Sequence, residues 1–198
     1  MTSEPVTYSR MSREEKEERF RQRSKTIWMT GLSGAGKTTI ALGLEKELFN
    51  RGFFVKLLDG DDVRTGLNKD LSFSPEDRTE NIRRIAEVNR LFVISGIVTI
   101  DCFISPTLEI RRMAREIIGP DNFIEVYVKA SLDVCEKRDV KGLYAKARAG
   151  LIKEFTGIDA PYEAPDHADL VLDTASKTVE ASICEALDFI IPRIEYKP

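Results

Sequence analysis

Residues 26–39 read Thr-Ile-Trp-Met-Thr-Gly-Leu-Ser-Gly-Ala-Gly-Lys-Thr-Thr, TIWMTGLSGAGKTT. An apolar run of strand character enters Gly31-Leu32-Ser33-Gly34-Ala35-Gly36-Lys37-Thr38, which satisfies G-x-x-x-x-G-K-[ST], and a helical pattern continues from Lys37 through Thr39. Three glycines let the chain turn so that successive N–H groups point inward, and the N-terminus of the helix adds positive potential where β- and γ-phosphates would lie. Lys37 is placed to neutralise a transferring phosphoryl group, and the Thr38 hydroxyl to ligate Mg2+. Guanine-specific signals are missing: Asn68-Lys69-Asp70 lacks the spacer of N-K-x-D, and the D-x-x-G match at Asp139–Gly142 falls within residues 139–165, a candidate lid.

Outward from this segment, short apolar runs alternate with amphipathic stretches. TIWMT precedes the helix from Lys37, FFVKLL precedes a helix from Pro75, IVTID precedes a helix from Pro106, and FIEVYV and LVL follow. The alternation predicts an α/β fold with a parallel sheet flanked by helices. Gly52 stands where the first helix needs a C-terminal cap. Ser74-Pro75-Glu76-Asp77 supplies an N-cap, a proline at the first helical position and early acidic residues.

The remaining regions divide the chain into an arm at 1–24, a kinase domain at 25–198 and, within it, a lid at about 139–165. Ser12–Arg23 is dominated by Glu, Lys and Arg, with Phe20 its one large apolar residue, so it is expected as a solvated, flexible arm; docking of its arginines on a partner or near anionic ligands is the alternative. Residues 139–165 form a basic, glycine-punctuated stretch too long for an ordinary connection, which suggests a mobile lid. With 30 Lys+Arg against 33 Asp+Glu, the net charge of −3 gives no basic surplus for nucleic acid or an anionic membrane. Cys102, Cys135 and Cys184 form no C-x-x-C pair, and no apolar run reaches the length of a bilayer span, so a reducing cytoplasm is the expected location.

A second candidate catalytic segment, Asp59-Gly60-Asp61-Asp62-Val63-Arg64, follows FFVKLL at the carboxyl end of the sheet, the edge where open α/β folds bind ligands. Asp61 is expected to accept a proton from the acceptor hydroxyl or to orient the magnesium shell. Asp101, at the end of the apolar run IVTID, competes for the magnesium role, either carboxylate acting through water.

WMTGLSGAGKTT, LDGDDVRTGLNKDLSFSPEDRTENIRRIAEV, FISP, RDVKGLYAKARAG and FTGIDAPYEAP together resemble the adenylylsulfate kinases of sulfate assimilation, in the same order and spacing from about Thr26 to Leu172. The resemblance implies a P-loop nucleotide kinase fold and a homodimer that makes 3′-phosphoadenylyl sulfate from ATP and adenylyl sulfate (APS), with a functional link to ATP sulfurylase. It further implies that Asp61, Arg64, Arg78 and Asn81 hold the acceptor nucleotide, that Phe73 and Phe155 sandwich its adenine, and that Ile104 and Ser105 complete the pocket. Lys141 and Arg148 would lie on the mobile lid near the phosphates and, with Leu143, contact the substrate, and Cys135, Arg138 and Thr174 would line the ATP base pocket. Ser105 resembles a serine proposed as a phosphorylated intermediate; direct in-line transfer, with Ser105 positioning ligand, is the expectation here. The sequence departs from the pattern at Asp62 (usually Asn), Asp101 (small or hydroxyl), Cys102 (Ser) and Thr107 (Tyr), and Asp62 and Asp101 are expected to add negative charge near the substrates. Another P-loop kinase of a small metabolite and a silent nucleotide-binding subunit are the competing readings.

Overall fold

In the computed structural model, residues 9–197 are described. Five parallel strands, β1 (Thr26–Thr30), β2 (Val55–Asp59), β3 (Val98–Cys102), β4 (Phe123–Lys129) and β5 (Leu170–Asp173), lie in the order β2-β3-β1-β4-β5. β1 and β3 are buried at every position, which is why they read as continuous apolar runs and not as alternating ones.

The helices cover both faces. α2 (Lys37–Asn50) and α8 (Val179–Ile194) pack on the face built from Ile27, Met29, Ile100 and Val126. α4 (Pro75–Ile94) and α5 (Leu108–Ile118) cover the opposite face around Trp28, whose ring stacks between Phe103 and Phe123 at 5.4 and 5.5 Å. Period-2 alternation along the strands therefore decides function: Met29 and Cys102 face one layer, Trp28 and Asp101 the other. α4 begins where its punctuation places it, with the Ser74 hydroxyl accepting from the Asp77 amide at 3.2 Å.

Several expectations are corrected. Residues 13–24 are anchored to the domain, with a solvated outer face: α1 (Arg13–Phe20) ends in a left-handed Arg21, and its carboxylate Glu17 is 3% exposed, accepting from the Ser24 amide and hydroxyl at 2.8 and 2.6 Å. Gln22 is fully buried because its amide bonds to Phe54 on both sides and to Gly96. The first eight residues of the expected arm lie outside the described residues. DGDDVR contains the short helix α3 (Gly60–Thr65), N-capped by Asp59. The helix expected from Pro106 starts at Leu108, since the Thr107 hydroxyl caps Ile110 at 3.3 Å. Two further short helices, α6 (Leu132–Arg138) and α7 (Leu143–Arg148), follow β4.

Candidate active site

The Gly31–Thr38 loop leaves β1 and enters α2 with φ of +155° at Gly31 and +76° at Gly34. A side chain at Gly31 would meet the Val128 carbonyl oxygen at 2.4 Å, and one at Gly34 would meet that of Cys135 at 3.1 Å, so close backbone approach, as well as conformation, requires glycine. The Lys37 amine donates to the Gly31 and Leu32 carbonyls at 2.8 and 2.9 Å, and burial pushes its pKa down to about 8. Thr38 and Thr39 stand exposed at the first turn of α2. The loop is braced from behind: the Tyr144 hydroxyl donates to the Ser33 carbonyl at 2.9 Å, and Thr174 donates to Ala35 at 2.7 Å. Arg138 donates to Gly34 and Ala35 at 3.3 and 3.4 Å and to both oxygens of Thr174. Cys135 is fully buried in the core beneath this loop, and burial pushes its thiol pKa up.

The carboxylate that meets Thr38 is Asp59, which the sequence reading passed over. Its Oδ2 accepts from the Thr38 hydroxyl at 2.8 Å, while Oδ1 accepts from the Asp61 amide at 2.9 Å. The signal was present in the register, because Asp59 is the last residue of β2 and faces the start of α2. A hydroxyl and a carboxylate side by side at the mouth of a phosphate loop are the oxygen donors that a hard divalent cation takes, so these residues fit Mg2+. Asp61 is exposed and pairs with Lys141. Asp101 points to the other layer although its strand neighbours that of Asp59: it lies on the α4 face of β3, fully buried, accepting from Asn89 Nδ2 at 2.7 Å, with Oδ2 unpartnered. Burial pushes its pKa up to about 7. The expectation of Asp101 in the magnesium shell, and of its charge near the substrates, is therefore corrected.

On the acceptor side, the Arg64 guanidinium lies 4.4 Å over the Phe73 ring and donates to the Ser72 carbonyl at 2.9 Å. Arg78 donates to the Phe73 carbonyl at 2.8 Å, to the Thr156 hydroxyl at 2.7 Å and to the Glu154 carbonyl at 2.6 Å, tying the start of α4 to residues 154–156. Asn81 is buried and accepts from Asn68 at 2.9 Å. Phe73 is 62% exposed, whereas Phe155 is 9% exposed and packs edge-on to Tyr144 at 5.0 Å, so only Phe73 presents an open ring in this arrangement. Leu143 packs on the same core, and Arg148 turns to Glu136 at 2.5 Å and not toward the cradle. The Ile104 carbonyl accepts from Thr30 at 2.7 Å. Ser105 takes a left-handed φ of 40°, and its hydroxyl is buried, accepting from the Trp28 indole at 3.1 Å. The hydroxyl is thus enclosed between the Trp28 indole and the Phe103 carbonyl. A cavity of about 790 Å³ opens between the start of α4, α5 and residues 154–161; of the expected acceptor residues only Arg78 lines it.

A parallel sheet in this order, a strand-to-helix phosphate loop with a buried lysine, and a carboxylate set on the loop's threonine define the class of P-loop kinases. The family model for adenylylsulphate kinase matches residues 23–173, and the chain belongs to the adenylylsulfate kinase family. An adenylyl-sulfate kinase of Bacteroides fragilis is 56% identical over 190 residues, covering 96% of this chain and 94% of the relative. One from Staphylococcus epidermidis is 50% identical, covering 92% of each. The solved structure of the Mycobacterium tuberculosis APS kinase in complex with AMPPNP and APS superposes with a TM-score of 0.81 at 44% identity, covering 85% of this chain and 98% of that one.

Proposed function

We propose that the protein transfers the γ-phosphoryl group of ATP to the 3′-hydroxyl of APS, giving 3′-phosphoadenylyl sulfate and ADP. The observation that carries the acceptor assignment is the Arg64–Phe73–Arg78 cluster, in which one guanidinium lies over an exposed aromatic ring and a second holds the backbone carbonyl of the same residue. A ring face suits adenine, and planar cations suit a phosphosulfate anion through paired hydrogen bonds. The relative solved with AMPPNP and APS and the adenylyl-sulfate kinases at 50% identity and above support the same pair of substrates.

In this reading the inward N–H groups of Gly31–Thr38 hold the β- and γ-phosphates, and Lys37 regains its full charge beside them. Asp61 accepts the proton of the 3′-hydroxyl as its oxygen attacks the γ-phosphorus in line. The bond from that phosphorus to the β–γ bridging oxygen breaks, and its electron pair leaves with ADP. Thr38 and Asp59 would hold Mg2+, which supplies charge neutralisation for the phosphates. Lys141, paired with Asp61 here, belongs to residues 139–165, which act as a lid that excludes water when both substrates are in place. The same reading makes the protein a cytoplasmic homodimer working beside ATP sulfurylase; no helix among the described residues is long and apolar enough to cross a membrane.

A coupled assay of ADP release with and without APS tests this. Release that depends on APS is the expected result. Release driven only by another acceptor would make the protein a different small-metabolite kinase, and ATP binding without release in any mixture would make it a silent nucleotide-binding subunit.

A further inference from the structure

Between the acceptor corner and the stem of residues 160–163 lies a buried guanidinium with no assigned part in the chemistry. Arg111, on the first turns of α5, is 2% exposed. It donates to the Ser105 carbonyl at 2.6 Å and to the Glu163 carbonyl at 2.7 Å. Its Nε lies 2.8 Å from Glu125 Oε1, a charge contact too poorly aligned to make a directed hydrogen bond. The two carbonyls belong to segments far apart in sequence, one in the left-handed corner after β3, the other at the end of the proposed lid. Three more contacts run beside the same junction. The Glu163 amide donates to the Pro106 carbonyl at 2.8 Å, the Glu163 carboxylate accepts from the Leu108 amide at 2.7 Å, and the Tyr162 hydroxyl meets that of Thr30 at 3.1 Å.

A left-handed φ at a non-glycine residue persists only where the surroundings hold it, and a fork that grips two carbonyls at once is the means of holding it here. We infer that Arg111 is a positioning residue for the acceptor: it fixes the Ser105 corner and anchors the C-terminal stem of residues 139–165 to α5, so that the Ile104–Ser105 backbone stands where the acceptor nucleotide docks. This rests on the functional reading above. Arg111 acts through the corner and makes no contact with the cradle, so the effect falls on APS and not on ATP.

Arg111→Lys keeps the charge but not the fork, and Glu125→Gln removes the charge partner while leaving both carbonyl bonds. Loss of one bond to a charged group corresponds to roughly ten- to a hundredfold in affinity. The expected result is a rise of about tenfold or more in the KM for APS in Arg111→Lys, with the KM for ATP within about twofold of the wild type. Glu125→Gln lowers the melting temperature and leaves both KM values in place. Equal changes in both KM values of Arg111→Lys, or no change in either, would overturn the inference. Should Arg111→Lys not fold, the double variant Arg111→Gln with Glu125→Gln takes its place, since it removes the charge pair together and its shorter amide cannot grip both carbonyls; a severalfold rise in the APS KM with the ATP KM unmoved is expected, and an unchanged APS KM overturns the inference. A wild type that leaves APS unphosphorylated contradicts the functional reading instead. The anchor is then decided by hydrogen exchange at the Glu163 amide, which Arg111→Lys accelerates at least tenfold if the anchor exists and leaves unchanged if it does not.

Discussion

The cradle is one unbroken run, Gly31–Thr38, shaped by backbone and braced by β4, α6 and α7. The acceptor wall instead draws on α3, the loop before α4, the corner after β3 and residues 154–156, joined across the sequence by Arg78 reaching Thr156 and Glu154 and by Arg111 reaching Glu163. The first has its geometry before any ligand arrives. The second depends on a few long-range bonds, so its geometry follows whatever the 139–165 segment does. Changes in the cradle should therefore appear in turnover, and changes in the wall should appear in acceptor affinity.

Lys37→Ala gives the largest expected effect, a fall of about a hundredfold or more in kcat, since it removes a preorganised charge from the transferring group. Steady-state ADP release, together with an APS titration that stays near wild type, would place the loss on the cradle side. Near-normal turnover would break the distinction.

Asp59→Asn comes next. With the carboxylate beside Thr38 gone, the Mg2+ concentration for half-maximal rate should rise roughly ten- to a hundredfold, by analogy with the loss of a group that orients a metal ligand. Asp101→Asn should leave that requirement unmoved. A reversed pattern in the two magnesium titrations would return the role to Asp101.

The two phenylalanines sharpen the contrast within the wall. Phe73 is 62% exposed, so Phe73→Ala should cost little stability and weaken APS binding about five- to 150-fold, the range for roughly 1–3 kcal/mol of stacking. Phe155 is 9% exposed and packed in the core, so Phe155→Ala should also lower stability by about 3 kcal/mol. Calorimetric APS titration in the presence of ADP, paired with denaturant unfolding, reads both quantities. Unchanged APS affinity in both variants would remove adenine stacking from the account.

Much of the cradle was legible because its chemistry is local. Gly31, Gly34, Lys37 and Thr38 sit at fixed offsets in one motif, and β1, α2 and the Ser74-Pro75 start of α4 follow from apolar runs and capping residues. What the sequence hid depends on which way a side chain faces. Asp101 ends an apolar run as a metal-binding carboxylate would, yet strand alternation turns it to Asn89 on the α4 layer, and Asp59 one strand away meets Thr38. α1 looked solvated because its anchoring groups, Glu17 and Gln22, are polar residues whose burial only long-range hydrogen bonds make tolerable. The acceptor residues came as a set from family resemblance, and no local spacing joins Arg78 to Thr156 or Arg111 to Glu163.

Asp101→Asn carries the smallest effect and is read in stability. Burial raises the folded-state pKa of Asp101 to about 7, above its ordinary value of 3.8, so between these values the folded chain holds more protons than the unfolded one. Its contribution is fully present below about pH 4 and is lost as pH rises toward 7. Asn removes this loss, so the stability of the variant relative to wild type should improve by roughly 1–3 kcal/mol between pH 4 and pH 8. A difference that stays constant with pH would place Asp101 outside the titrating core.

The central claim is that the γ-phosphoryl goes straight to the 3′-hydroxyl of an acceptor held by the wall while the cradle holds ATP. It is tested most directly by comparing APS with its 3′-deoxy analogue, measuring calorimetric binding in the presence of ADP and ADP release in the presence of ATP and Mg2+. The account predicts that both ligands bind with affinities within about tenfold, that APS yields a product phosphorylated at the 3′ position, and that the analogue yields no ADP above the rate without acceptor. Turnover of the 3′-deoxy analogue, or APS that binds without being phosphorylated, would contradict it.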